Sequence, residues 1–127
     1  MASELSINVT SVLKNGDLSD QIKLGARSFD QATKSAKSFT VTAGADAALD
    51  LSGISTFGWL HLVNLDDTDA IDYGPEIVSG APPVSAMAPF GRIKPREVHA
   101  VRLKPGITVR IAAVAGSPKL DVHLWAD

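Results

Sequence analysis

The chain has 127 residues, of which 45% are hydrophobic and 20% are charged, and its formal net charge is −2 at pH 7. This length and composition are those of one folded domain with a single core, and the scattered basic residues exclude a general binder of phosphate backbones. Cysteine is absent, which excludes disulfide bonds and thiolate metal sites. No apolar run approaches the length of a membrane span, so a membrane is not an expected partner, and neither is nucleic acid.

The N-terminal half of the sequence alternates between apolar and polar residues. Leu5, Ile7 and Val9 alternate with polar neighbours, which predicts a strand with one buried face, and residues 15–17 (Asn-Gly-Asp) predict a turn. Weaker alternation predicts strands at residues 22–28 and 37–43, whereas residues 29–36 could form a loop or a short helical turn. Two more strands are predicted at residues 47–51 and 59–65, and the second is expected to be covered on both faces because it is nearly continuous in apolar character.

Prolines concentrate in the segment that follows the predicted strand at residues 70–73. Residues 74–89 hold four of the seven prolines, with Pro82 and Pro83 near the middle. Proline has no backbone N–H group and fixes φ, so this composition is typical of a connection rather than a central strand. We predict the longest loop of the chain here.

Two similar phrases in the C-terminal third each place a Lys-Pro turn between two alternating apolar runs. They are Arg92-Ile93-Lys94-Pro95-Arg96-Glu97 and Arg102-Leu103-Lys104-Pro105-Gly106-Ile107. Because proline favours a turn and cannot donate to a ladder, each phrase ends one strand and allows the next to begin. The pattern predicts an antiparallel meander with strands at residues 87–93, 98–103, 107–113 and 120–125.

Eight or nine short strands without a convincing amphipathic helix indicate an all-β protein. We predict an antiparallel β-sandwich of the jelly-roll type, because two sheets packed face to face bury the alternating apolar residues of both. A lone meander would leave longer unpaired edges. The predicted organisation is a single β-sandwich domain over residues 1–127 with an N-terminal arm.

Four aspartates lie close together and could supply oxygen ligands to calcium: Asp66, Asp67, Asp69 and Asp72. The cluster lacks the glycine and the distal glutamate of the known calcium loop. The run from Asn64 to Asp69 is instead typical of a tight polar turn, in which side chains bond to nearby backbone groups. We favour the turn, retain calcium as the alternative, and predict no cofactor.

The sequence contains no recognisable catalytic signature. His61, His99 and His123 fall on predicted strands, but their wide separation gives no local zinc-ligand pattern. No Gly-x-Ser-x-Gly elbow and no phosphate-binding glycine loop is present, and so small a domain has little room for a cleft that raises the pKa of a carboxylic acid. We predict that the protein is not an enzyme.

The aromatic side chains could form a flat platform for a sugar. Trp59 opens an apolar run and is expected in the core, whereas Trp125 alternates in phase with polar residues and is expected to be exposed. Most of the rings lie in or beside strand patterns, so we favour core packing over a sugar platform. If a sugar binds, Trp125 and Tyr73 are the candidate rings.

Several phrases in the second half of the chain resemble small structural proteins of tailed bacteriophages. The phrases are Gly58 to Thr68, Ile71 to Gly74, Pro89 to Pro95, Arg102 to Gly106 and Leu120 to Leu124. They cover residues 58–124 with gaps, and they are strand and turn phrases rather than functional residues. The resemblance implies a β-rich virion component such as a capsid decoration or cement protein, with a tail accessory protein as the alternative.

The resemblance also implies partners and a location. It implies self-association with a trimer favoured, contact with the major capsid protein or other virion proteins, and localisation in the virion after synthesis in the bacterial host cytoplasm. Such a β-module would act through its interfaces, and a carbohydrate- or receptor-binding module is the alternative. We predict partner contacts from the arm and the Pro-rich segment, namely Met1, Ala2, Ser3, Glu4, Leu5, Pro82 and Pro83.

Overall fold

The chain divides into two compact units, Met1–Thr33 and Lys34–Asp127. The computed structural model describes residues 5–15, 18–29 and 35–127. Residues 1–4 of the predicted arm and residues 16 and 17 of the predicted turn lie outside this description. A single domain spanning both units stays a prediction.

The first unit is a β-hairpin. Strand β1 (Leu5–Asn15) pairs antiparallel with β2 (Leu18–Phe29), and the register shifts by a bulge after Val9. The predicted first strand is confirmed and continues six residues beyond Val9, to Asn15. The alternation of apolar and polar residues ends at Val9 because the bulge after this residue breaks the period of two. Strand pairing continues past the bulge, so the strand is longer than the alternating segment.

The second unit contains nine strands, and the described residues form no helix. The strands are β3 (Ala36–Thr42), β4 (Ala47–Ala48), β5 (Phe57–Asn64), β6 (Ile71–Ser79), β7 (Val84–Met87), β8 (Gly91–Ile93), β9 (Val98–Arg102), β10 (Val109–Ala113) and β11 (Lys119–Ala126). Accordingly, residues 5–15, 18–29 and 35–127 include no helix that is long and apolar enough to span a membrane.

These nine strands form two antiparallel sheets. The four-stranded sheet has the order β3-β11-β5-β9, and the five-stranded sheet has the order β4-β10-β6-β7 with β8 also paired to β6. The pairing is nested, since β3 pairs with β11, β4 with β10, β5 with β9, and β6 with β8. This is a long antiparallel hairpin rolled on itself, the jelly-roll topology, so the predicted all-β sandwich is confirmed.

The predicted meander is wrong, although its turns are where the sequence places them. Lys94 and Lys104 each accept a backbone hydrogen bond from the residue three positions later, at 3.1 and 3.3 Å. However, β8 and β10 lie in the five-stranded sheet while β9 and β11 lie in the four-stranded sheet. Each Lys-Pro turn therefore carries the chain from one sheet to the other, because a turn sequence ends a strand without specifying which strand the next one pairs with.

The core lies between the sheets, and β5 and β11 show the expected period of two. Their inward side chains Leu60, Leu62, Leu120, Val122 and Leu124 are fully buried, and each such burial stabilises the fold by about 1.5–3 kcal/mol. The five-stranded sheet supplies the facing residues, mainly Ile71, Tyr73, Ile93, Val109 and Ile111.

The two tryptophans differ from expectation. Trp59 and Trp125 lie directly opposite each other on β5 and β11, on the outer face of the four-stranded sheet, and both are half-buried. The predictions of Trp59 as a core residue, of Trp125 as an exposed one, and of a strand covered on both faces are therefore wrong. In a nearly continuous apolar run, the sequence does not distinguish the residues that face the core from those on the other face. In β5 the leucines Leu60 and Leu62 face the core.

The two Lys-Pro turns provide a paired test of backbone strain. Arg96 and Gly106 follow the prolines with φ of 64° and 78°, as in type II turns. Gly106→Ala is expected to cost about 1 kcal/mol of unfolding free energy, because alanine is strained at positive φ. Arg96→Gly removes the same strain and is expected not to destabilise, even though it breaks an exposed ion pair with Asp67. Urea unfolding checks both variants, and an equal loss in the two would contradict this interpretation.

Candidate interaction surface

The predicted polar turn between β5 and β6 is confirmed. The Asp66 carboxylate accepts hydrogen bonds from the backbone N–H groups of Asp69 and Thr68, both at 2.7 Å. These bonds, that of Asp69 first, hold the pKa of Asp66 below its usual range. Asn64 Oδ1 in turn accepts the N–H of Asp66 at 3.0 Å. The carboxylate therefore stabilises the turn through its own backbone.

The other predicted calcium ligands pair with different cations. Asp67 pairs with Arg96 and Asp72 with Arg92, each at 2.6 Å, and these hydrogen bonds lower the pKa of both carboxyls. Within the described ranges, no group of three His, Cys, Asp or Glu side chains is arranged to hold a metal ion. The structure does not bring the four aspartates together as one set of ligands.

The three histidines do not converge either. His61 and His123 lie opposite each other on the outer face of the four-stranded sheet, where the His61 ring packs on Trp125 at 4.3 Å between centroids. His99 belongs to the inward register of β9 and bonds through Nδ1 to the Tyr73 hydroxyl at 3.1 Å. Tyr73 is buried and is therefore not available as a flat sugar platform, whereas the Trp125 ring is half-buried and contacts His61 at a tilted angle.

One serine, histidine and aspartate set occurs on this outer face. Ser38 Oγ is 2.9 Å from His123 Nδ1, and His123 Nε2 is 3.6 Å from the Asp121 carboxylate. The second distance is too long for the hydrogen bond that orients a catalytic base, and Asp121 instead accepts a bond from Thr40 at 2.7 Å. We interpret the set as hydrogen bonding on an exposed strand face.

His61 makes the stability of the sandwich depend on pH. Burial lowers the pKa of His61, and the neighbouring His123 lowers it further. The unfolded chain therefore takes up the proton first, so stability is expected to fall as pH decreases below about 6.5. Urea midpoints at pH 7.5 and 5.5 should differ less in His61→Gln than in the unmodified protein. An unchanged difference would contradict this assignment.

The segment predicted as the longest loop is mostly strand, and that prediction is wrong. β10 pairs with β6 only between Ile71 and Pro75, whereas β7 pairs with β6 from Glu76 to Ser79. β6 and β7 thus form a hairpin that extends past the pairing with β10, and Pro82 and Pro83 lie in its tip. The prolines do not interrupt the ladder because they fall at the end of a pairing, in the tip, or in a bulge.

The bulge divides the partner strand of β6 into β7 and β8. Glu76 lies opposite Met87 but Tyr73 lies opposite Gly91, so one extra residue is accommodated between them. Gly74 makes this possible, since a Cβ there would overlap the carbonyl oxygen of Ala88. The bulge leaves the Phe90 side chain 79% exposed.

The hairpin and bulge present an uncharged apolar surface. The 15 residues from 77 to 91 include no charged side chain and no histidine. Ile77, Val78 and Val84 are 48%, 60% and 62% exposed. We call these three residues, with Phe90 and the tip prolines, the hairpin surface. By the strand register, Ile77 and Val84 lie on one face of the hairpin and Val78 on the other, so apolar side chains are exposed on both faces. Exposed apolar side chains gathered on one projection typically mark a region that another molecule covers.

The base of this hairpin is held by ionic contacts on the outer face of the five-stranded sheet. Arg110 on β10 donates to Asp46 and to Glu76 on β6, each at 2.7 Å, and Asp46 also accepts the backbone N–H of Met87 at 2.8 Å. The bond from Arg110 is the main reason that the pKa of Asp46 is lowered. These contacts connect β10, β6 and β7, so the apolar tip projects from a fixed base.

A cavity of about 270 Å³ lies between the two sheets beside this base. Leu60 and Val101 line it from the four-stranded sheet, and Tyr73 and Val109 line it from the five-stranded sheet. Arg102 and Lys104 are also part of its lining. No feature of the sequence pattern indicated this cavity, because its walls come from four separate strands.

Sequence reasoning identified part of the hairpin surface. It selected Pro82 and Pro83 but missed Phe90, Ile77 and Val84, and the signal that could have found them is the uncharged run of residues 77–91. Partner contact through the prolines stays a prediction, and Met1 to Glu4 lie outside the described residues.

Comparison with known proteins gives no match to a protein-family model, a curated protein or a solved structure, so the function is inferred from this chain's own sequence and geometry.

Proposed function

We propose that this chain is a bacteriophage virion structural protein, a capsid decoration or cement protein that stabilises the shell through subunit interfaces. The observation that carries the proposal is the hairpin surface. Val78, Val84 and Phe90 are each at least 60% exposed on a projection without charged residues. Burial against another subunit would remove this apolar area from water.

The form of the sandwich also supports the proposal. A jelly roll with a packed core is a rigid support, and an interface gains affinity when its contact residues are fixed in place before binding. The phage-like phrases of residues 58–124 include the bulge residues Pro89 and Phe90 at one end of the hairpin surface. The proposed partners are further copies of the chain, with a trimer favoured, and the major capsid protein or other virion proteins. The proposed location is the virion.

A pair of matched variants tests the proposal. Val84 and Val98 are 62% and 60% exposed, but Val84 is on the hairpin surface and Val98 is on the edge strand β9 of the other sheet. Lysine at either position adds the same charge to a similarly exposed site. The measurements are light-scattering mass at several concentrations and co-sedimentation with shells assembled from the major capsid protein of the same genome.

The unmodified protein is expected to be a stable trimer that sediments with shells. Val84→Lys is expected to reduce shell binding at least about tenfold, since an unpaired charge buried in an interface costs more than 1.4 kcal/mol. Val98→Lys is expected to bind as the unmodified protein does. The proposal would be overturned if the unmodified protein is a monomer that does not sediment with shells, or if Val84→Lys and Val98→Lys lose shell binding equally.

A further inference from the structure

The cavity between the sheets is an apolar pocket that is partly open to solvent. Leu60 is fully buried and Tyr73 and Val109 nearly so, yet all three border the cavity. A dry apolar cavity of about 150 Å³ is large enough to hold benzene. A space of about 270 Å³ therefore accommodates a benzene ring with a short substituent.

The charges beside this cavity are positive. Its lining includes Arg102 and Lys104 and no aspartate or glutamate. Arg102 lies opposite Trp59, so its side chain is on the outer face of the four-stranded sheet, where it pairs with Asp127. In the described part of the chain, Lys104 has no carboxylate within ion-pair distance, so its ammonium group is available to an anion.

The polar atoms inside offer little competition for a ligand. The Tyr73 hydroxyl already bonds to His99 at 3.1 Å. The turn that carries Lys104 is fixed by two backbone hydrogen bonds, from Leu103 to Gly58 at 2.9 Å and from Ile107 to Lys104 at 3.3 Å. The site therefore combines an apolar space with one exposed cation on a turn whose backbone is fixed, and an apolar lining with few polar groups is the usual composition of a small-ligand site.

We propose that this cavity binds a small carboxylate with an apolar body, of the size of an arylacetic acid. The ring occupies the space between Leu60, Val101 and Val109, and the carboxylate pairs with the Lys104 ammonium at the rim. A charge-assisted hydrogen bond of this kind is stronger than a neutral one, so it selects the anion over a neutral molecule of the same shape. The cavity borders the hairpin surface, because Phe90 belongs to both, but binding of this ligand does not depend on the proposed virion function.

Three probes of one shape test the charge selection. Phenylacetate, phenylacetamide and phenethylamine share the ring and differ in the charge of the attached group. Titrations followed by calorimetry and by amide chemical shifts are expected to give a Kd of about 1 mM or tighter for phenylacetate. Phenylacetamide is expected to bind at least about fivefold more weakly, and phenethylamine weaker still, with the largest shifts at cavity residues.

Two variants test the location. Lys104→Gln is expected to make the affinities for phenylacetate and phenylacetamide equal, whereas Lys119→Gln, at an exposed lysine on β11, should leave their ratio unchanged. Val101→Phe fills the cavity and is expected to abolish binding of all three probes, with its fold checked by thermal unfolding. If Val101→Phe does not fold, the ratio of the affinities of Lys104→Gln for phenylacetate and phenylacetamide is the test of the location.

Several results would overturn the proposal. They are equal binding of acid and amide by the unmodified protein, tightest binding of the amine, shifts located away from the cavity, or no binding at 20 mM probe, which is about 20 times the expected Kd. None of these results bears on co-sedimentation of the protein with shells. Failure of the cavity site and failure of the virion function are therefore distinguishable.

Discussion

Replacing Asn64 with alanine is expected to lower the unfolding free energy of the sandwich by about 3–5 kcal/mol. Asn64 is fully buried at the end of β5. Its Nδ2 group donates to the carbonyl oxygens of Asp69 and Ile93 at 2.8 and 3.1 Å, and its Oδ1 accepts the N–H of Asp66 at 3.0 Å. Alanine removes all three bonds and leaves the backbone partners without them, at about 1–3 kcal/mol for each buried group.

Thermal and urea unfolding measure this loss directly. For a unit of 94 residues (127 − 33), a loss of about 3 kcal/mol lowers Tm by about 15 °C. Asn64→Asp is a second variant, because it retains an acceptor but cannot donate to either carbonyl, and it is expected to be destabilised as well. Asn8→Ala, at an exposed position of β1, is the control and should stay within about 0.5 kcal/mol. If Tm of Asn64→Ala stays within about 3 °C of the unmodified protein, the bonds of Asn64 are not the support of this turn.

Gly74→Ala is expected to cost about 3 kcal/mol and to separate β7 from β6. A Cβ at residue 74 would overlap the Ala88 carbonyl oxygen and approach the Phe90 nitrogen to 3.0 Å. Both atoms belong to the backbone of the bulge, which also bonds to β6 through Ala88 N–H to Pro75 at 2.9 Å and Phe90 N–H to Tyr73 at 3.0 Å. The added methyl group cannot be accommodated without moving the bulge, so these bonds are lost.

Amide hydrogen exchange identifies where the change occurs. In Gly74→Ala the amides of β7, Ala88 and Phe90 should exchange faster, while those of β5 and β11 keep their relative protection. Gly44→Ala is the matched control, because no atom lies within 4 Å of a Cβ at residue 44 and its φ is not positive. Under the proposed function, Gly74→Ala should also weaken shell binding and Gly44→Ala should not. Equal stability of the two variants would show that the bulge is not constrained by Gly74.

The sequence was most informative where a residue type is compatible with only one backbone conformation or hydrogen-bonding pattern. Proline followed by a residue at positive φ produced both Lys-Pro turns in the predicted places. Asp66 bonds to the backbone of the next residues, as expected of a short acidic side chain in a turn. It was least informative for the prolines at residues 75 and 89, because a proline at the end of a pairing or in a bulge has the same local signature as one in a loop.

Local sequence pattern by itself determined the all-β class, most of the strand positions and the turns, because period-two alternation and turn residues act over a few neighbouring positions. Only the tertiary structure decided which strands pair, which face of β5 meets the core, and that the projecting hairpin leaves Val84 and Phe90 exposed. The cavity beside Lys104 also depends on tertiary structure. The reason is that strand pairing and sheet packing join residues far apart in the chain, and the same alternating pattern is compatible with either sheet and with more than one pairing partner.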